Sequence, residues 1–189
     1  MGRIEMTEKV IPLHRPNKFY SKLAIAASIA ALLTFSISFF GSETVQNLGS
    51  SVLAHTLPDG STIYLNSNAD LSYNDLTWAL FRDLDFSGSG FFEGEDGSKF
   101  SISTDLGVVS VLGTSFSVIT NNDKLKVSCK TGKVLVENKN ALSVILTPGK
   151  GVEMSESILE ELDLKTEYID AWVGGTYRFD NVSIDQVFN

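Results

Sequence analysis

The sequence predicts an all-β domain, an antiparallel sandwich or a short solenoid-like stack, placed behind one N-terminal transmembrane helix. Three observations carry that reading. Residues 23–40, LAIAASIAALLTFSISFF, hold no charge, no Gly and no Pro. Residues 51–154 break into short apolar–polar alternations punctuated by Gly, Asn, Asp and Pro. The charge also changes sign across the apolar run. The 189 residues sum to -8, yet residues 1–22 carry five positive and two negative side chains, a net +3 that leaves -11 for the rest.

An uncharged apolar run of about 18 residues is long enough for a transmembrane helix. Ser28, Thr34, Ser36 and Ser38 lower its hydrophobicity, but their hydroxyls can bond back to helix carbonyls and so enter lipid. The run shows no polar stripe, which argues against a core helix of a soluble domain. A cleaved signal peptide is also disfavoured, since the polar lead is long and Ser36-x-Ser38 is the best small-x-small site available. The basic flank predicts that the N-terminus stays in the cytoplasm. Pro12 and Pro16 break helices, so residues 1–21 read as a solvated tail.

The strands follow in order. Residues 51–57 and 62–66 flank Pro58-Asp-Gly-Ser61, where proline presets φ and glycine accepts positive φ. Residues 81–86 and 90–93 flank the bend Ser87-Gly-Ser89. Strands over 100–104 and 108–112 are separated by Asp105-Leu-Gly107. Residues 115–120 and 125–129 bracket Asn121-Asn-Asp123, and 133–137 and 142–146 bracket Asn138-Lys-Asn140. Pro148-Gly149 precedes a last strand at 151–154. Strand starts about 8 to 12 residues apart suit a sandwich, barrel or short solenoid, and tight turns favour antiparallel pairing. Phe100-Ser-Ile-Ser103 and Leu125-Lys-Val-Ser-Cys129 alternate, so each buries one face. Val134-Leu-Val136 does not alternate and is expected to be covered on both faces. Helical periodicity is confined to residues 73–82 and to the acidic stretch 155–170, read as a short helix or connector.

Chemistry-bearing motifs are few. His14 and His55 fall on opposite sides of the apolar run, so they cannot share a metal or catalytic site. No Gly-x-Ser-x-Gly elbow accompanies His55. Phosphate-cradling glycine loops are absent from the sequence. Asp83 and Asp85 alternate with Leu84 and Phe86, while Glu93, Glu95 and Asp96 surround a bend, the pattern of solvated faces and turns. Cys129 occupies an inward strand position and reads as a small buried residue. A single Cys excludes a disulfide scaffold, and the acidic balance argues against nucleic acid as the main partner. No enzymatic activity or cofactor is expected.

A set of motifs, in order, is more specific. It comprises Leu57-Pro-Asp-Gly-Ser61, Ile63-Tyr-Leu-Asn66, Leu71-Ser-Tyr73, Gly90-Phe-Phe-Glu93, Phe100-Ser-Ile-Ser-Thr104, Val111-Leu-Gly-Thr-Ser-Phe-Ser-Val118, Thr131-Gly-Lys-Val134, Leu146-Thr-Pro-Gly149 and Trp172-Val-Gly-Gly-Thr-Tyr-Arg-Phe179. Together they resemble the FecR-like family, in its Bacteroidetes form of single-pass anti-sigma regulators, over about residues 53–188. The resemblance implies a cytoplasmic tail that holds an extracytoplasmic-function sigma factor and a periplasmic β-domain. It also implies a signal from a TonB-dependent outer-membrane receptor. No direct nucleic-acid contact is implied.

This chain departs from the family pattern at both ends. About twenty residues precede the helix where the family has several helices, which weakens the sigma-factor expectation. The usual Gly-Glu-Ala-Tyr-Phe-Glu-Val is here Gly88-Ser-Gly-Phe-Phe-Glu-Gly94. Residues 179–188 correspond to the opening of a following α/β domain, which points to a truncated product. The expected division is a basic tail (1–22), a transmembrane helix (23–40), a linker (41–50), a β-domain (51–154), a connector (155–171) and the start of an incomplete C-terminal domain (172–189). Trp172, Tyr177 and Phe179 are the candidate partner-binding residues. The competing function is an anchored or secreted β-module that binds carbohydrate or cell wall through Tyr64, Tyr73, Trp78, Phe91 and Phe92.

Overall fold

The computed structural model describes residues 18–97, 99–121, 123–155 and 158–174. They fall into two compact units, divided at Phe39 and Phe40. The first contains helix α1, Lys18–Phe40, which begins five residues before the apolar run. Its 23 residues span about 34 Å at 1.5 Å per residue, enough for a hydrocarbon core of about 30 Å. Its Phe19–Ser36 window has a mean hydropathy of 1.5, and none of that window is buried against protein. The hydroxyls inside it behave as expected. Ser28 Oγ donates to the Ala24 carbonyl at 3.0 Å and Thr34 Oγ1 to the Ala30 carbonyl at 3.1 Å, so neither is left unsatisfied.

The second unit is built from two seven-stranded sheets. Sheet A holds, in spatial order, β1 (Ser42–Gln46), β4 (Asp70–Asn74), β5 (Arg82–Ser87), β7 (Phe100–Ser103), β8 (Gly107–Val111), β11 (Val134–Asn138) and β12 (Ser143–Leu146). Sheet B holds β2 (Leu53–Thr56), β3 (Thr62–Leu65), β6 (Ser89–Glu93), β9 (Ser115–Thr120), β10 (Leu125–Cys129), β13 (Lys150–Met154) and β14 (Leu159–Asp163). Both sheets therefore run in chain order. The chain alternates between layers while advancing along the stack, so the unit is a sandwich in its layers and solenoid-like in its path. Pairing is antiparallel throughout the described strands, apart from β5 with β7.

Alternation explains why the layers close on each other. Along β5, Leu84 and Phe86 are buried, while Asp83 and Asp85 face solvent. Along β10, Leu125, Val127 and Cys129 point into one apolar cluster fed by both sheets. Phe86 of sheet A meets Phe92 of sheet B edge-on at 5.1 Å, and Phe92 stacks on Phe116 at 5.2 Å. Such pairs add to the burial of large apolar side chains.

The turn motifs position these layers. Asp59 accepts hydrogen bonds from the Ser61 amide and hydroxyl and pairs with the buried guanidinium of Arg82. Ser61 Oγ in turn accepts the Glu95 amide at 3.0 Å. Leu57–Ser61 thus ties the β2–β3 hairpin of sheet B to the start of β5 in sheet A. The Val-Leu-Gly-Thr segment is a crossover between layers. Gly113 takes φ +64°, and a Cβ there would lie 1.8 Å from Asp96 Oδ1, so only glycine fits.

Three sequence expectations are corrected. Residues 41–50 are not simply a linker, because β1 pairs with β4 from Ser42↔Asn74 to Gln46↔Asp70. Only Val45 in it packs on the core, so the strand has almost no apolar signal. Among its described residues the acidic stretch is a strand over Leu159–Asp163 and helical only in a 3-10 turn at Thr166–Tyr168: β14 pairs with β13 from Lys150↔Asp163 to Met154↔Leu159. Without it β13 would be an open edge, and closing that ladder outweighs a weak helical preference. Residues 75–80 form successive turns, with Phe81 N donating to Thr77 O at 2.9 Å. They drive Trp78 inward, edge-on to Tyr73 at 5.3 Å and to Phe100 at 5.7 Å.

Candidate partner-binding surfaces

Of the three candidate residues, only Trp172 is described; Tyr177 and Phe179 lie outside the described residues. Trp172 belongs to a strap over residues 164–172 that leaves β14 and folds across the outer face of sheet B. Leu164 N donates to Gly149 O at 2.8 Å, which sets the turn, and a 3-10 helix Thr166–Tyr168 carries the chain onward. Ile169 is buried, while Tyr168 and Trp172 remain half-buried. Together with Leu164 and Lys165 they border a cavity of about 220 Å³ floored by Ser117, Ile119, Lys126 and Ser128. Lys130 lies over the Phe91 ring at 5.6 Å and is paired with Asp170. Phe91 itself is buried on this outer face, apart from the inter-sheet cluster. The strap therefore roofs an apolar patch, and Trp172 sits at its margin.

A second surface escaped sequence reasoning. On the outer face of sheet A, Ser110 pairs with Leu135 and Leu135 with Ile145. Leu112 and Ile145 are each 65% exposed, with Val108 and Leu135 close to 40%. They form a groove of about 570 Å³ rimmed by Lys99 and Lys133. A neighbouring groove of about 310 Å³ continues past Val108 to Lys139. The expectation that Val134-Leu-Val136 is covered on both faces holds on one face only. Val134 and Val136 are in the core, whereas Leu135 lies on the outer face and stays 37% exposed. That missing alternation was the signal in the sequence.

Titratable groups are arranged for structure. Burial pushes the Cys129 thiol up, which keeps it protonated. Burial lowers His55, opposed by Glu43, and its Nε2 lies 3.2 Å from Tyr73 Oη. Tyr64 reaches Glu93 at 3.2 Å across β3 and β6. Asp83 and Asp85 stay on the solvent face of β5. Among the described residues, no cluster of three His, Cys, Asp or Glu side chains is spaced to hold a metal ion. The aromatic set required by a sugar-binding platform is largely internal: Tyr73, Trp78, Phe91 and Phe92 are buried, and only Tyr64 reaches the surface.

Residues 47–135 match the family model described as FecR protein. No curated protein matches the chain. Two crystal structures of a candidate anti-sigma factor from Parabacteroides distasonis ATCC 8503, at 2.50 Å and 1.65 Å resolution, share the fold. Both are 24% identical to this chain, with TM-scores of 0.67 and 0.68. The alignments cover 77% of this chain and 71% of theirs.

Proposed function

With a FecR-family domain at residues 47–135 as the premise, we propose that the protein is a single-pass regulator of sigma-factor activity. The basic tail 1–22 lies in the cytoplasm, where it contacts an extracytoplasmic-function sigma factor. Helix α1 anchors the chain in the inner membrane, and the β-domain lies in the periplasm. There the domain receives a signal that originates at a TonB-dependent outer-membrane receptor. The observation that carries the reading is the join itself: a FecR-type sandwich follows directly on a helix of membrane-spanning length with a basic flank. The anti-sigma description of the structural neighbours supports the same reading.

The signal is mechanical rather than chemical in this scheme. Partner binding on the sandwich alters the anchor-proximal strand β1, exposes the chain to proteolysis, and releases the sigma factor. A transcriptional reporter for the sigma factor tests it. Deletion of residues 1–21 is expected to change sigma-dependent output; unchanged output removes the cytoplasmic half of the scheme. The burial of Tyr73, Trp78, Phe91 and Phe92 counts against a carbohydrate-binding module.

A further inference from the structure

We propose that the β12 edge of sheet A and its adjoining groove capture an extended acidic–apolar segment of a partner protein as an added strand. The inference concerns the sandwich alone and stands whether or not the sigma-factor reading does.

The four sheet edges differ in how they are protected. Strand β1 carries Glu43, and β14 carries Glu160, Glu161 and Asp163. Charges and prolines are the usual means of keeping an edge from pairing. Strand β2 is also uncharged, but the cavity on the outer face of sheet B, about 220 Å³, is smaller and lies under the strap at 164–172. Strand β12, SVIL, has neither charge nor proline and, among the described residues, pairs only with β11. Its flanks extend the uncharged run over residues 141–148. An edge of this kind offers unpaired backbone donors and acceptors to an incoming strand.

The groove specifies which strand. Ile145 and Leu135 present an apolar row continuous with the edge, and Leu112 stands beside Lys133 on the next row. Lys99, Lys133 and Lys139 are exposed, and none belongs to an ion pair among the described residues. The domain outside the tail is strongly acidic, so the unpaired Lys99 and Lys133 on this groove, with Lys139 on its neighbour, are a local reversal of charge. Glu137, opposite Ser143, stands at the other end of β12 and repels acid there. The favoured ligand therefore places carboxylates towards the Lys133 end and apolar side chains beside Val144, at the margin of the core.

The test uses the full chain in detergent micelles and two labelled octapeptides. One is Val-Glu-Val-Glu-Val-Thr-Val-Thr, and the other has lysine in place of both glutamates. Fluorescence anisotropy is expected to show saturable binding of the first, at least tenfold tighter than of the second. The double variant Lys99→Glu/Lys133→Glu should weaken it at least tenfold, and Ile145→Lys, which blunts the edge, should abolish it. All three positions are exposed, so an unchanged circular dichroism spectrum confirms that the variants fold. Equal binding of the two peptides, absence of binding, or indifference to the variants would overturn the proposal. So would concentration-dependent self-association that Ile145→Lys removes without any peptide binding, because the edge would then belong to a second copy of this chain.

Discussion

Gly113 and Thr114 sit side by side at the crossover from β8 to β9 and respond to substitution in opposite ways. A Cβ at Gly113 meets Asp96 at a φ that side chains rarely adopt. Gly113→Ala should therefore destabilise the sandwich by about 1–3 kcal/mol, read from the urea midpoint followed by tryptophan fluorescence. Thr114 is buried, and its Oγ1 has no hydrogen-bond partner. Replacing an orphan hydroxyl with a methyl of the same shape removes a desolvation penalty, so Thr114→Val should be neutral or stabilising by about 1 kcal/mol. A clear loss of stability would show that the hydroxyl is satisfied in solution. His55 gives a pH dependence. Burial depresses its folded pKa below the ordinary value of 6.5, so the unfolded chain takes up a proton first. The stability difference is fully present above about pH 6.5 and is lost as pH falls through the window below it. His55→Gln should flatten that slope between pH 7.5 and 5; an unchanged slope would assign it to other groups.

Elements were legible where apolar and polar residues alternate in the sequence, as in β5, β7 and β10, although Ser101 and Ser128 are buried too, so of these three only β5 keeps one face in solvent throughout. They were hidden where an edge strand has little to bury. Strand β1 places only Val45 against the core, and β14 spaces Leu159 and Leu162 as a helix would, so the edge of β13 decides its conformation. Trp172 was singled out in the sequence by its aromatic character, but the strap that carries it was not legible there. That strap depends on Leu164 turning against Gly149 and on the pairing of Lys130 with Asp170. It is a small element held by one buried apolar residue, Ile169, and one partly exposed ion pair. Local opening should therefore precede global unfolding. Ile169→Ala is expected to accelerate tryptic cleavage after Lys165 severalfold while moving the urea midpoint little. A midpoint shift as large as that of a core truncation such as Phe92→Ala, about 3–5 kcal/mol, would make the strap part of the core instead.

At the scale of the whole molecule the decisive quantity is where charge lies along the chain. The net -8 is the sum of a +3 tail and a -11 remainder, divided by a helix of membrane-spanning length. Basic residues flanking a span are retained on the cytoplasmic side, which supports the proposed orientation of tail inside and sandwich outside. The single cysteine makes this testable without first being removed. Cys129 is fully buried and its thiol is held protonated by that burial, so a maleimide should not reach it in the folded protein. Introduced cysteines report cleanly against that silent background. Asp105→Cys lies on an exposed turn between β7 and β8, and Thr7→Cys lies in the tail. A membrane-impermeant maleimide, applied to cells with a permeabilised outer membrane, should label Asp105→Cys at once. Thr7→Cys should become reactive only after the inner membrane is lysed. The reverse order would invert the protein in the membrane, and with it the side on which the β12 groove meets its partner.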